Sequence, residues 1–154
     1  MKTSDTVNEI KPQILESRIK VPYSWSAGEV GSHFLIQLRD HKKILGLRCP
    51  ECNKVYVPPK KTCGACFVRC QEWVEVGPEG TLVAFTQARA PSPVHPVEQP
   101  IYGLILLSGA GTALLHLIGG SPLGNLKTGM KLTPVFREER KGSILDIEYF
   151  RPAP

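Results

Sequence analysis

All five cysteines of this 154-residue chain fall between Cys49 and Cys70. Four of them form two Cys-x-x-Cys pairs, Cys49/Cys52 and Cys63/Cys66, with ten residues between the pairs. A Cys-x-x-Cys turn aims two thiolates at one point, and two such turns facing each other close a tetrahedral four-thiolate cage. One pair alone would suit redox chemistry; two at hairpin spacing indicate a metal. Zinc leads iron because ribbons of this spacing are usually zinc sites, although four soft thiolates do not by themselves separate the two metals. The competing reading is a pair of disulfides, which needs an oxidising compartment that nothing else in the sequence suggests. Cys70 exceeds the needs of a four-ligand site and reads as a small buried apolar residue rather than a reactive thiol.

With Cys49, Cys52, Cys63 and Cys66 committed to metal, little is left for catalysis. A complete four-thiolate cage leaves no open position for substrate, so its metal is structural. No Ser/His/Asp set has a recognisable local context, and Glu138-Glu139 sits in a turn where both carboxylates are solvated. His116 stands mid-strand among leucines and reads as a satisfied core histidine. His95, in a proline-rich loop, is the freest candidate for a functional imidazole.

The charge points the same way as the cysteines. Of the net +5, residues 39–70 supply an excess of six, from Arg39, Lys42, Lys43, Arg48, Lys54, Lys60, Lys61 and Arg69 against Asp40 and Glu51. Such a patch favours an anionic partner, either nucleic acid or a phosphorylated small molecule. The plainer alternative is a solvated face on a module too small to hide its lysines.

Around the cysteines the chain must supply strands and turns. Hydrophobic residues make up 42%, enough for a real core, and 14 prolines with 14 glycines favour short strands over long helices. Residues 1–25 show little periodicity, with Pro12 and Pro22 limiting regular structure and Ile14, Leu15, Ile19 and Val21 as scattered anchors. Ser26 followed by Glu29 fits a capping box, and Val30, Phe34 and Leu38 share one face of a short helix over 28–38. Residues 43–48 read as a strand entering the first knuckle. Asn53 follows it where positive φ is often required. Val55 to Val57 return, Pro58-Pro59 end that return, Gly64 lies inside the second knuckle, and Gln71 to Val76 resume a strand carrying Trp73. This is a four-cysteine ribbon whose metal supplies most of its folding free energy, on the order of 10 kcal/mol.

From Gly80 the texture changes to five strand-like runs: 81–90, 101–107, 112–118, 131–137 and 144–150. They suit a five-stranded closed barrel of the OB type. The uncharged stretch 101–120 is long enough to span a bilayer, but Ser108-Gly109-Ala110-Gly111-Thr112 cuts it into two strands. No apolar leader precedes the first strand, and the chain is read as soluble and cytoplasmic. In 102–107 and 112–118 both strand parities are apolar, so both faces should be covered. A barrel covers only its inner face; the outer one is expected to meet the ribbon, the helix or another protein.

The fold class expected is mainly β, in three parts: an N-terminal arm and short helix (1–43), a rubredoxin-like zinc ribbon (44–76) and an OB-fold barrel (77–154). In this order, the helix, the knuckles Cys49-Pro-Glu-Cys52 and Cys63-Gly-Ala-Cys66, Pro58-Pro59-Lys60, Glu72-Trp73, Gly80-Thr81, the apolar 102–107 strand, Gly129-Met130 and Phe150-Arg151-Pro152 resemble a known family. It is the bacterial and archaeal family of zinc-ribbon/OB-fold proteins long known only as a domain of unknown function. Asn53 and Phe67 stand where that family often has glycine.

The resemblance implies an obligate partner of a thiolase-superfamily enzyme, such as an acetyl-CoA acyltransferase or hydroxymethylglutaryl-CoA synthase. The large chain would carry the catalytic cysteine, and this chain would be a non-catalytic subunit completing the acyl-CoA site. The phosphates of a coenzyme A ester would then meet Arg48, Lys54, Lys60 and Lys61, and the 91–100 loop would line the acyl channel. A single-stranded nucleic-acid binder is the alternative, because ribbons and OB barrels both serve that role. Against it, strands 101–107 and 112–118 offer one Tyr, no Phe or Trp, and no Lys or Arg for stacking or backbone tracking. A structural adaptor is the third reading.

Overall fold

The structure is a computed structural model that describes residues 13–14 and 23–153. Most of the expected arm, with Leu15, Ile19 and Val21, therefore lies outside the described residues. The helix, α1 (Gly28–His41), runs three residues past its predicted end. It buries Phe34 and Leu38, as the spacing requires. It stops where Lys42 turns left-handed and the amides of Lys42 and Lys43 return to the carbonyls of Leu38 and Gln37. The expected capping box does not form. Gly28 adopts φ +71°, so the Ser26 hydroxyl reaches only the Gly28 N–H at 3.1 Å, and Glu29 leans instead toward Arg69.

The ribbon is a three-stranded antiparallel sheet of β1 (Ile44–Arg48), β2 (Val55–Tyr56) and β3 (Glu72–Val76), with β1 in the centre. Leu47 lies opposite both Tyr56 and Trp73. Four of the five β1 residues are buried because the strand is covered on both faces. Leu47 packs with Cys49, Tyr56, Cys63 and Cys70 against the knuckles, while Ile44 and Leu45 join the main core.

Five strands close the barrel: β4 (Gly80–Gln87), β5 (Ile101–Leu107), β6 (Leu114–Ile118), β7 (Lys131–Phe136) and β8 (Ile147–Pro152). Their order around the barrel is β4-β5-β6-β8-β7, with β7 returning to β4 and one parallel step, Ile118 beside Phe150. This is the OB-type connectivity expected. Leu82, Ile105, Leu107, Leu114, Leu132, Ile147 and Phe150 fill the interior. Stretch 101–120 is the β5–β6 hairpin. Among the described residues no helix is long and apolar enough to cross a membrane.

Two strand starts differ from the expectation. The last strand begins at Ile147, because Ile144–Asp146 forms a 3-10 turn with Ser143 and Asp146 as a capping box. The buried Asp146 carboxylate accepts the amides of Lys141 (3.0 Å), Gly142 (2.8 Å) and Ser143 (3.2 Å), satisfying three donors that the turn would otherwise strand.

The third strand begins at Leu114, because Thr112 is spent on the ribbon. Its hydroxyl accepts the Val57 N–H at 2.8 Å and donates to the Val57 carbonyl at 3.1 Å. Beside it the Gly111 N–H donates to the Val55 carbonyl at 2.8 Å. The hairpin tip thereby continues the edge of the ribbon sheet. One core runs unbroken from Phe34 and Leu38 through Ile44, Val55, Val57 and Val76 into the barrel.

Inside the barrel His116 presses edge-on against Phe150, ring centroids 5.6 Å apart. Its Nε2–H donates to the Ile144 carbonyl at 3.1 Å, and Nδ1 has no protein partner. The core histidine expected from the sequence is thus only half satisfied. Burial holds its pKa below the ordinary value, partly opposed by the Ile144 carbonyl. The sign follows: the unfolded chain binds this proton near pH 6.5 while the folded chain still refuses it, so stability falls as pH drops below 6.5. The slope from this one group is at most about 1.4 kcal/mol per pH unit. Thermal melts between pH 7.5 and 5.5 should show the loss, and His116→Gln should flatten it; equal slopes in both proteins would exclude His116 as the source.

Candidate metal centre

Each knuckle is built by the same hydrogen bonds. In the first, the Cys49 amide donates to the Lys54 carbonyl (3.0 Å) and the Asn53 amide to the Cys49 carbonyl (3.0 Å). In the second, the Cys63 amide donates to Val68 (2.9 Å) and the Phe67 amide to Cys63 (3.1 Å). Both turns need a left-handed residue after the second cysteine, and Asn53 (φ 58°) and Phe67 (φ 57°) provide it. Neither is glycine, the residue that reaches this conformation at least steric cost. Gly64 is not the residue that carries the turn.

The turns bring the Sγ atoms of Cys49, Cys52, Cys63 and Cys66 within 4.8 Å of one another, with Cys52 and Cys63 3.8 Å apart. A tetrahedral zinc thiolate with bonds of ~2.3 Å has S–S edges of about 3.8 Å, whereas a disulfide needs about 2.05 Å. The donor set and its spacing fit a four-thiolate metal ion and exclude the pair of disulfides; all five cysteines are free. Zinc held by these four thiolates would be coordinatively complete and would act by cross-linking the sheet.

The surroundings of the cage are polarised toward thiolate. The Tyr56 hydroxyl lies 3.2 Å from the Cys63 Sγ and the Cys66 amide 3.4 Å from it. Donation from Tyr56 first, then from the amides of Cys66 and Ala65, pulls the Cys63 thiol down to about 6. The same contact pushes Tyr56 up to about 12, so the phenol is the donor. Interaction with Cys52, and then burial, pushes Cys66 up to about 12. Four thiolates this close repel one another, and a bound dication removes that penalty. Tyr56 was not singled out from the sequence. Its signal was an aromatic on the two-residue return strand, a position that faces the cage. Cys70 is buried beside Cys49 and Cys63, and burial pushes its thiol up.

The basic residues ring the knuckles unevenly. Arg48 reaches across to Glu72 on β3 at 3.1 Å, half-buried and poorly aligned for a hydrogen bond. Lys43 pairs with Glu75 at 2.8 Å. Lys60 lies over the Tyr56 ring, 5.5 Å from its centroid, and the Lys61 carbonyl accepts the Cys70 amide. Among the described residues Lys54, Lys60 and Lys61 form no ion pair, so these three are the exposed cations of the predicted anion site. His95 sits within its own loop, its amide bonded to Ser92, remote in sequence from the ribbon. Glu138 and Glu139 are exposed, as expected.

Residues 73–137 match the family model described as ChsH2, C-terminal OB-fold domain. The match spans four of the five barrel strands, β4 to β7. Among solved structures, an Ltp2-ChsH2(DUF35) aldolase superposes with a TM-score of 0.63 at 20% identity, covering 80% of this chain and 94% of that one. A protein of unknown function from the DUF35 family of Sulfolobus solfataricus gives 0.59 at 24% identity, covering 81% and 84%. No curated protein matches. These matches fall on the zinc-ribbon/OB-fold family that the sequence motifs resemble. The ChsH2-type match begins at Trp73, so it takes in most of the ribbon's last strand β3 together with β4 to β7 of the barrel.

Proposed function

We propose that this chain is a non-catalytic subunit that docks on a thiolase-like catalytic chain in the cytoplasm and helps complete its acyl-CoA site. The observation that carries this reading is the outer face of the barrel. Leu104 on β5 lies directly opposite Leu115 on β6 and Ala84 on β4. Leu115 is 61% exposed, and Leu104, Leu106 and Val83 are also exposed. Neither ribbon nor helix covers this strip, which leaves another protein as the cover anticipated from the two apolar parities. The solved ChsH2 relative is named as an assembly with Ltp2, which supports the same reading. Lys54, Lys60 and Lys61, with Arg48 beside them, are the groups proposed to meet the phosphates of a coenzyme A ester. The reaction would be thiolysis or condensation of a β-ketoacyl-CoA, with the catalytic cysteine on the partner; benzoylsuccinyl-CoA is one candidate substrate.

The test is co-expression with a thiolase-like chain encoded nearby. Thiolytic activity should require both chains, and Leu104→Glu with Leu115→Glu should abolish co-purification. The exposed sites should leave the melting of the isolated chain within ~0.5 kcal/mol of the parent. An undiminished complex would overturn the docking face. The nucleic-acid reading predicts instead that the parent chain shifts an oligonucleotide, although this outer face offers Tyr102 as its one aromatic on β5 and β6 and no cation.

A further inference from the structure

The two knuckles are superposable in their hydrogen bonds and in the left-handed residue that follows each, yet one places Asn there and the other Phe. Asparagine is a residue that tolerates this conformation; a bulky aromatic is not. Phe67 is also 82% exposed, so it does not earn its place by packing. Both costs fall on the folded chain without any return inside it. Around Phe67 the hairpin is closed by the Cys70 amide on the Lys61 carbonyl and by the Thr62–Arg69 bridge. Residues 60–70 carry Lys60, Lys61 and Arg69 and no acidic side chain. Among the described residues the one carboxylate within 4.0 Å of these cations is that of Glu29, 4.0 Å from Arg69.

We infer that Phe67 is a binding knob: it enters an apolar pocket on the thiolase-like chain whose rim is acidic, with Arg69, two residues along the same hairpin, facing that rim. The inference rests on the subunit reading above and adds a contact that is separate in sequence from the barrel strip. An exposed aromatic at the tip of a basic hairpin has the composition of an interface anchor, where one buried aromatic carries much of the affinity and nearby charge sets orientation and association rate. An isolated carboxylate-poor hairpin tip in a basic segment matches an acidic rim by charge.

The experiment compares the parent with Phe67→Gly, Phe67→Asn and Phe67→Trp, each titrated against the purified thiolase-like chain. Glycine and asparagine suit the left-handed turn, so the isolated variants should melt about 2–4 °C higher than the parent. Their affinity for the catalytic chain should fall by about tenfold or more, while Phe67→Trp keeps it. Affinity within twofold of the parent in Phe67→Gly, with the complex otherwise intact, overturns the knob alone. Failure of the parent chain to bind the catalytic chain overturns the subunit reading and the knob together. Loss of an oligo(dT) shift in Phe67→Gly, where the parent shifts it, would assign the aromatic to base stacking and overturn the protein pocket.

Discussion

Cys63→Ser is expected to yield a chain that holds little or no zinc and does not melt cooperatively. Cys63 is fully buried, its sulfur lies 3.8 Å from that of Cys52, and it takes hydrogen bonds from the Tyr56 hydroxyl and the Cys66 amide. A serine oxygen is a harder, far less acidic donor that cannot replace a thiolate here. Structural zinc contributes on the order of 10 kcal/mol, comparable to the whole stability of a domain of this size. Because one core joins ribbon and barrel, the loss should not be confined to the knuckles. Metal content by colorimetric assay and far-UV melting would check this, with chelation of the parent as a parallel. A soluble, cooperatively folded Cys63→Ser protein that still binds its partner would refute it.

The second large effect is expected at Gly111, in the tip of the β5–β6 hairpin. A methyl group there would sit 2.7 Å from the Lys54 Cγ, and 3.1 and 3.2 Å from the Val55 nitrogen and oxygen. The lysine stem can swing aside; the backbone of β2 cannot. Alanine should therefore lift the hairpin by a few tenths of an ångström and weaken the Gly111–Val55 bond along with both bonds of Thr112 to Val57. A cost of about 2–3 kcal/mol follows, or roughly 4–12 °C in the melting midpoint. Gly124→Ala is the control, because its added methyl meets open space. Equal midpoints for the two variants would mean that the tip is not held as described.

The metal centre was legible because its information is local: four cysteines at fixed spacing dictate where their sulfurs converge. The barrel strands were legible from their apolar runs and turn residues. What the residues did not disclose was anything settled by a distant partner. Ser26 and Glu29 spell a capping box, but a left-handed Gly28 moves the helix start and leaves the box unmade. Thr112 has strand character and was read as strand, yet a bond across 55 residues takes it out of the ladder. Ile144 and Leu145 likewise look extended until Asp146 gathers three amides around itself. Phe67 stood out in the sequence as a departure from glycine, but its left-handed backbone and its exposure came only with the structure.

The hairpin tip on the ribbon edge also bears on how the chain is made. Synthesis delivers residues 44–76 first, so the knuckles can capture metal while the barrel is still inside the ribosome. At that moment the Val55 and Val57 carbonyls are bare, and residues 111–112, which will occupy them, emerge only about 55 positions later. A nascent metal-loaded finger thus presents a vacant edge as a template, and the later half of the polypeptide finishes a surface begun by the earlier half.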